Sequence, residues 1–545
     1  MEEDIRGKLS LGIADFKSLI EQDKIYVDKT EFIKKMMDHG EKYYFLSRPR
    51  RFGKTLFLST LENFFLGKKE LFKNTHIHNT WNTWNTYPVI RISMGDILND
   101  SSQHLINGIL NKLDFLAQLN NIKLDKNEDY VSKFSKLIYS TYEKNKKEIV
   151  VLIDEYDAPI IDNINNTNLA DENRKILQNF YNVLKNSEKY LKFVFVTGIS
   201  KFTKTSIFSK FNNLTELTLD KNYSKICGIT HNELKKYYHN HIKILAKENN
   251  YTYNDTIEKI NHFYDGYSWD GTTKVFNPNS TLRSLSQKKF SSYWFSTGTP
   301  SFIAEIFKKK KITQDYFQPT ILKETELDAI DPDNINETTL LFQSGYLTIK
   351  KEFTKNDEIY FSLKIPNFEV QQAYKDNLLN LYIEKFENKF KNTQQTIWNE
   401  IFNGKCGKLS QHLRAFITGI PYYNRISMDN DEKWKIYSTI FTIWAQQMDY
   451  YLTVEKAIKD GRIDFILENN NQDQTIIIEM KYTADQNKTM NTLINEAFKQ
   501  INKKKYWWAY TGEIKLMALA IKDIKIDDGY ITNVKCQLKN ITKEE

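Results

Sequence analysis

Apolar and polar positions follow several different rhythms along this 545-residue chain. Short continuous apolar runs at Tyr43–Leu46, Ile149–Ile153 and Lys192–Val196 predict buried strands of a parallel sheet. After the first, apolar positions at helical spacing from Leu56 to Leu66 predict a helix that stops at Gly67, a suitable C-cap. From Thr230 to about Lys311 the pattern is helical, punctuated by the aromatic clusters Tyr264-Asp265-Gly266-Tyr267-Ser268-Trp269 and Tyr293-Trp294-Phe295. These aromatics read either as platforms for bases or as the packing of a helical lid. Leu340–Ile349 followed by Ile359–Lys364 reads as a helix and a hairpin, a winged-helix-like arrangement. A long helical stretch from Val370 to about Ile417 ends near the breaker Gly419-Ile420-Pro421. Beyond it the pattern predicts a helix from Asp431 to about Met448, strands near Tyr450–Ala457, Gly461–Glu468 and Thr475–Tyr482, a helix Thr489–Lys504 and a strand Ile514–Ile521.

Two of the apolar runs lead into residues that carry chemistry. The first runs into Ser47-Arg48-Pro49-Arg50-Arg51-Phe52-Gly53-Lys54-Thr55 and then into the predicted helix, the strand–loop–helix setting of a phosphate-binding loop. Gly53 lets backbone N–H groups approach a phosphate, Lys54 offers a point charge and Thr55 a hydroxyl for Mg²⁺. The full pattern would place glycine at position 48, where this chain has arginine, and a bare Gly-Lys-Thr also occurs in ordinary loops. The second run ends in Asp154-Glu155, a Walker B arrangement in which Asp154 sits beside the metal and Glu155 polarises an attacking water. The third run ends in Thr197-Gly198-Ile199-Ser200; Thr197 is placed to sense a γ-phosphate, and Ser200 alternatively caps a helix.

The C-terminal strands carry a second constellation. Period two puts Glu479 and Lys481 on one face, with Ile478 and Met480 on the other, and Asp464 lies on the preceding strand. Two carboxylates suit a hard divalent cation, and Lys481 can orient a water or offset charge on a phosphoryl transition state. Gln500, one turn beyond Glu496 on the following helix, can reach the same edge. A surface hairpin of alternating charge is the plain alternative. It fits poorly with the flanking Ile476-Ile477-Ile478 and with Asp464 between Ile463 and Phe465, because charge inside an apolar strand is costly without a purpose.

Taken together, these residues resemble an AAA-ATPase-like family that joins a P-loop module to a C-terminal PD-(D/E)XK nuclease domain. The stretches that carry the resemblance also include Tyr26-Val27-Asp28-Lys29-Thr30, Leu152-Ile153-Asp154-Glu155-Tyr156-Asp157, Gln343-Ser344-Gly345-Tyr346-Leu347-Thr348 and Gly461-Arg462-Ile463-Asp464. The resemblance implies a multidomain α/β protein; with the pattern of elements along the chain, residues 1–229 are expected as the P-loop domain and 230–330 as a helical lid. Residues 331–420 would form a winged-helix-like and helical linker region, and 421–545 a restriction-endonuclease-like domain. It makes arginine at position 48 a family habit. It carries Lys54, Thr55, Asp154 and Glu155 over to ATP and Mg²⁺, with Thr55 and Asp154 on the metal and Glu155 catalytic; Arg48, Arg51, Gly53 and Thr197 complete the nucleotide site expected from the residues themselves. It carries Asp464, Glu479 and Lys481 over to the nuclease site, with Asp464 and Glu479 on Mg²⁺ or Mn²⁺, and Gln500 joins them from its place on the helix. Related nuclease domains carry a glutamate closely followed by Tyr-His on the first helix, whereas here Glu432 is followed at longer spacing by Tyr437-Ser438, which weakens Glu432 as a site residue.

Composition adds boundary conditions. The net charge of +8 permits a polyanionic partner such as DNA or RNA. Cys227, Cys406 and Cys536 are far apart in sequence with no CxxC spacing, which points to a reducing compartment without a structural zinc site. The start Met1-Glu2-Glu3-Asp4 is acidic where a secretory leader would be basic, and no apolar run is long enough for a membrane span, so a cytoplasmic protein is expected. The expected activity is an ATP-regulated nuclease, with homo-oligomerisation left open; the alternative is a nucleotide-dependent switch whose nuclease domain only binds nucleic acid.

Overall fold

In the computed structural model, the described residues are 7–202, 214–294, 320–328, 336–373, 397, 399–418, 430–445, 451–458, 461–468, 474–510, 512–526 and 529–541. They form two compact units, one from residues up to Ala373 and the other from residues beyond it.

The first unit is centred on a five-stranded sheet of β1 (Tyr43–Ser47), β2 (Val89–Ser93), β3 (Ile149–Asp154), β4 (Leu191–Gly198) and β5 (Leu214–Glu216), ordered β2-β3-β4-β1-β5. Every pairing is parallel. β1 and β3 are buried at every position, which is why they read as unbroken apolar runs. β2 alternates instead, Ile90 and Ile92 inward, while Arg91 pairs with Glu62 at 2.7 Å on the helix Lys54–Phe65. Parallel strands need crossovers, and the helices Lys54–Phe65, Ser102–Leu119, Tyr130–Asn145 and Thr167–Asn186 supply them. Asp129 and Asn166 accept N–H groups at the starts of the last two.

A helical subdomain follows in the same unit. His231–Glu248 and Tyr253–Tyr264 each begin with a full capping box, Thr230 with Glu233 and Thr252 with Asp255. Their apolar faces enclose Leu234, Ile242, Ile257, Ile260, Tyr264 and Phe276. The described aromatics of these clusters are therefore packing: Tyr264, Tyr267, Trp269, Tyr293 and Trp294 are all buried, and Phe295 lies outside the described residues. The predicted helix and hairpin form as Glu337–Ser344, β7 (Thr348–Lys355) and β8 (Glu358–Lys364), with β6 (Thr320–Lys323) completing an antiparallel sheet ordered β6-β8-β7.

The second unit holds a mixed sheet of β9 (Tyr451–Ile458), β10 (Gly461–Glu468), β11 (Gln474–Thr483), β12 (Glu513–Ile526) and β13 (Gly529–Asn540), in the order β13-β12-β11-β10-β9. Only β11 and β12 run parallel, because the helix Met490–Lys504 connects them. That helix packs Leu493, Ala497 and Ile501 on the sheet face that carries Ile477. The helix Asn430–Ala445 packs on the opposite face, with Phe441 against Phe465 and Tyr437 against Tyr482. The helix Gly407–Thr418 packs on β13. There the structure brings together two cysteines that the sequence separates: Cys536 Sγ lies 2.6 Å from the Cys406 carbonyl oxygen, and Ser410 Oγ accepts the Cys536 N–H.

Candidate functional site

The loop between β1 and Lys54–Phe65 is shaped by two left-handed residues, Arg51 (φ 69°) and Gly53 (φ 95°), just ahead of the helix N-terminus. A Cβ on Gly53 would meet nothing within 4 Å, so glycine serves the backbone angle there and not a close approach. Lys54 is buried, its ammonium donating to the carbonyls of Arg48 at 2.8 Å and Pro49 at 2.9 Å. Burial holds it below the ordinary lysine value, partly offset by the charge of Asp154.

Beside the loop lies a cavity of about 470 Å³, within the range of roughly 300–1,000 Å³ usual for small-molecule sites. Its lining includes Arg51, Gly53, Lys54, Thr55 and Glu155 together with the apolar Leu11, Ile13, Val27, Ile229 and Leu282. Lys29, also on its wall, makes a bidentate contact to Glu233 at 2.7 and 2.8 Å, tying the N-terminal segment to the helical subdomain.

Asp154 is buried at the end of β3, with its Oδ1 accepting the Glu155 N–H at 3.1 Å. Glu155 takes a left-handed turn (φ 50°), and burial followed by repulsion from Asp154 raises its carboxyl pKa. Thr197, at the end of β4, is fully buried with an unpartnered hydroxyl. Ser200 Oγ is likewise unpartnered, so it makes no capping bond. Asp157 was not singled out in the sequence, yet it accepts the N–H groups of Ile199 (3.1 Å) and Ser200 (2.6 Å), and burial lifts it to about 6. Gly198 permits that contact, because a Cβ there would strike Asp157 and Tyr156.

Arg48 corrects the sequence reading that placed it on the nucleotide. Its guanidinium lies inside the protein, donating to the carbonyls of Ser47 and Thr218 at 2.9 Å each, 4.1 Å above the Trp269 ring. Phe52 meets Tyr267 and Trp269 edge-on, so the Tyr264–Trp269 motif buttresses the loop. Gly345, in the Gln343-Ser344-Gly345 stretch, has φ 91° and sits against Pro49 and Trp294.

In the second unit, the register that pairs Phe465 with Ile478 brings Asp464 opposite Glu479. Asp464 Oδ2 accepts the Met480 N–H at 2.8 Å. Lys481 donates to Glu479 Oε1 at 2.8 Å and to Gln500 Oε1 at 2.7 Å, so all four predicted residues converge. Glu479 is only 1% exposed, and its Oε2 finds no donor. Burial, then repulsion from Asp464, pushes its pKa up to about 8. Gln500 Nε2 contacts Tyr506 Oη at 3.3 Å, and that hydroxyl donates to the Arg462 carbonyl at 2.9 Å. Among the described residues no group of three or more His, Cys, Asp or Glu side chains is arranged to hold a metal ion, and this site offers a pair of carboxylates. The Glu432 side chain lies outside the described residues. Tyr437, from the same helix, donates to Asp523 at 2.8 Å on the far face of the sheet.

Residues 10–208 match the family described as predicted AAA-ATPase, and residues 432–526 match the PD-(D/E)XK nuclease superfamily. An uncharacterized protein in the vnfD 5' region of Azotobacter chroococcum mcd 1 is 32% identical over 462 residues, covering 84% of this chain and 86% of the relative. The chain belongs to this AAA-ATPase-like family with a C-terminal PD-(D/E)XK domain. Among solved structures, Cdc6p from Pyrobaculum aerophilum covers 65% of this family member at 11% identity and TM-score 0.24, with 95% of that chain matched. The Aeropyrum pernix ORC1 protein in complex with DNA covers 64% at 8% identity and TM-score 0.24, with 91% of that chain matched. Among the described residues no helix is long and apolar enough to cross a membrane.

Proposed function

We propose that the first unit binds and hydrolyses ATP and that the second is a metal-dependent phosphodiesterase acting on nucleic acid, with its rate set by nucleotide state. The observation that carries the reading is Glu479: a buried carboxylate with one oxygen on Lys481, the other without a donor, and a second carboxylate beside it. Two such carboxylates repel each other unless a proton or a cation lies between them, and a divalent cation fits that donor set. Asp464 and Glu479 would hold Mg²⁺ or Mn²⁺, which when bound supplies charge to a phosphoryl oxygen and lowers the pKa of a water. Lys481, fixed by Gln500, orients the attacking water and offsets charge on the phosphate.

In the first unit, Lys54 and Thr55 would take the phosphates and Mg²⁺ of ATP, Asp154 would hold the metal from the strand end, and Glu155 would polarise the water. Arg51 lines the cavity, and Thr197, near the end of β4, would offer its hydroxyl to the γ-phosphate. The deciding experiment incubates the full chain with labelled single- and double-stranded DNA and RNA, with and without ATP, Mg²⁺ and Mn²⁺. Cutting that needs metal and changes with ATP supports the reading. Cutting that persists in EDTA overturns it. An inert protein that still binds nucleic acid in a nucleotide-dependent way establishes the switch reading, which draws support from Tyr437 being engaged by Asp523 away from the site.

A further inference from the structure

The short turn Tyr506–Ala509, which joins the helix Met490–Lys504 to β12, carries three aromatics, of which Tyr506 and Trp508 are in opposite situations. Tyr506 is buried in the core beneath the sheet and is bonded to both Gln500 and the Arg462 backbone, so it braces the candidate nuclease site. Trp508, two residues on, is 71% exposed, the highest value among the exposed large hydrophobic residues described. Its backbone is fixed: the main-chain N–H of Trp508 donates to the Lys505 carbonyl at 3.1 Å, and its neighbour Trp507 packs on the core. Lys505 Nζ stands 4.3 Å from the centre of the Trp508 ring. Lys503 and Lys504 precede it in the last helical turn. Those lysines also answer the helix dipole, but an indole left in water has no such structural reason. Arg462, exposed and two residues before Asp464, shares that residue's face of β10 and adds positive charge beside the carboxylates.

We propose that Trp508 is a stacking platform for an unpaired base, so that the site formed by Asp464, Glu479 and Lys481 receives single-stranded nucleic acid. This rests on the nuclease reading of that site. Within a duplex the ring faces of a base are covered by its stacked neighbours, whereas an unpaired base can offer one to a side chain, and an aromatic flanked by cations is how sequence-tolerant single-strand binders hold one. Lys505 and Arg462 supply the accompanying phosphate contacts.

The test measures binding of the full chain in EDTA, where cutting is suppressed, to a labelled oligothymidine and to a blunt duplex at one salt concentration. Trp508→Ala is expected to weaken oligothymidine binding by about tenfold or more, to leave duplex binding unchanged, and to be largely rescued by Trp508→Phe. Equal oligothymidine affinity in Trp508→Ala and the parent overturns the proposal, as does an equal loss on both probes or no oligothymidine binding by the parent. A separate assay with Mg²⁺ and Mn²⁺ keeps the two readings apart. Trp508-dependent binding without any cutting leaves the platform standing and removes the nuclease; cutting with unchanged binding in Trp508→Ala does the reverse.

Discussion

Gly95 provides the space in which the Glu155 carboxylate lies: a Cβ built on Gly95 would overlap Glu155 Oε2. The two residues follow neighbouring parallel strands, in the register that pairs Ser93 with Asp154. Gly95→Ala should therefore push the carboxylate aside while leaving the strands in place. ATP hydrolysis should fall by about 100-fold, the scale of a lost general base, with nucleotide affinity and melting temperature little changed. A steady-state ATPase assay beside a nucleotide titration checks this.

Lys54→Ala and Glu155→Gln should separate binding from chemistry. The first removes the loop ammonium and should weaken ATP binding by about 10- to 150-fold, as for a charged hydrogen bond. The second should retain binding and stall hydrolysis. Equal nucleotide affinity in Lys54→Ala and the parent would remove the P-loop assignment.

Asp464→Ala should reduce cleavage to background without unfolding the second unit, because its removal relieves repulsion on Glu479. Lys481→Ala should cost roughly 10²–10³-fold in rate. EDTA should reproduce the Asp464→Ala result; cleavage time courses with circular dichroism on the same samples check both rate and folding.

The state of Glu479 sets a pH dependence. Its carboxyl is raised from 4.5 to about 8, so the metal-free folded protein keeps a proton that the unfolded chain releases. The associated stability is full below 4.5 and is lost as pH rises through about 8. In EDTA the second unit should melt roughly 5 °C or more lower at the alkaline end of that window, and Glu479→Gln should flatten the slope. Metal competes with the proton, so apparent Mg²⁺ affinity should improve by up to about tenfold per pH unit until Glu479 is ionised. Calorimetry across pH, with and without Mg²⁺, reads both effects.

What the sequence revealed depended on how fully each element is buried. β1, β3 and β4 announced themselves because both faces are covered, and Glu479 and Lys481 because charge interrupts an apolar strand. β2 is short and half polar, with Arg91 spent on Glu62, and it left no clear run. β13 alternates polar residues such as Lys535, Gln537 and Lys539 with apolar ones at the sheet edge and likewise leaves no clear run. Gln500 was within reach of helical spacing, but Gly95 and Gly198 act by lacking a side chain, and a lone glycine carries no such message in sequence. Arg48 was misplaced because the motif fixes its position in the loop and not the direction of its side chain, which the carbonyl of Thr218 and the ring of Trp269 decide.

That inward arginine makes the nucleotide loop a poor candidate for transplantation. A phosphate loop that opens on glycine keeps its shape by backbone freedom and can be moved between scaffolds as a cassette. Here the shape is underwritten from elsewhere in the chain, by Trp269 beneath the guanidinium, Tyr267 against Phe52 and Gly345 against Pro49. Grafted alone, Arg48–Thr55 would leave an unpaired cation in the host's interior. The portable unit is the loop together with its aromatic bed, and substitutions in that bed belong with active-site mutations in any survey of this family.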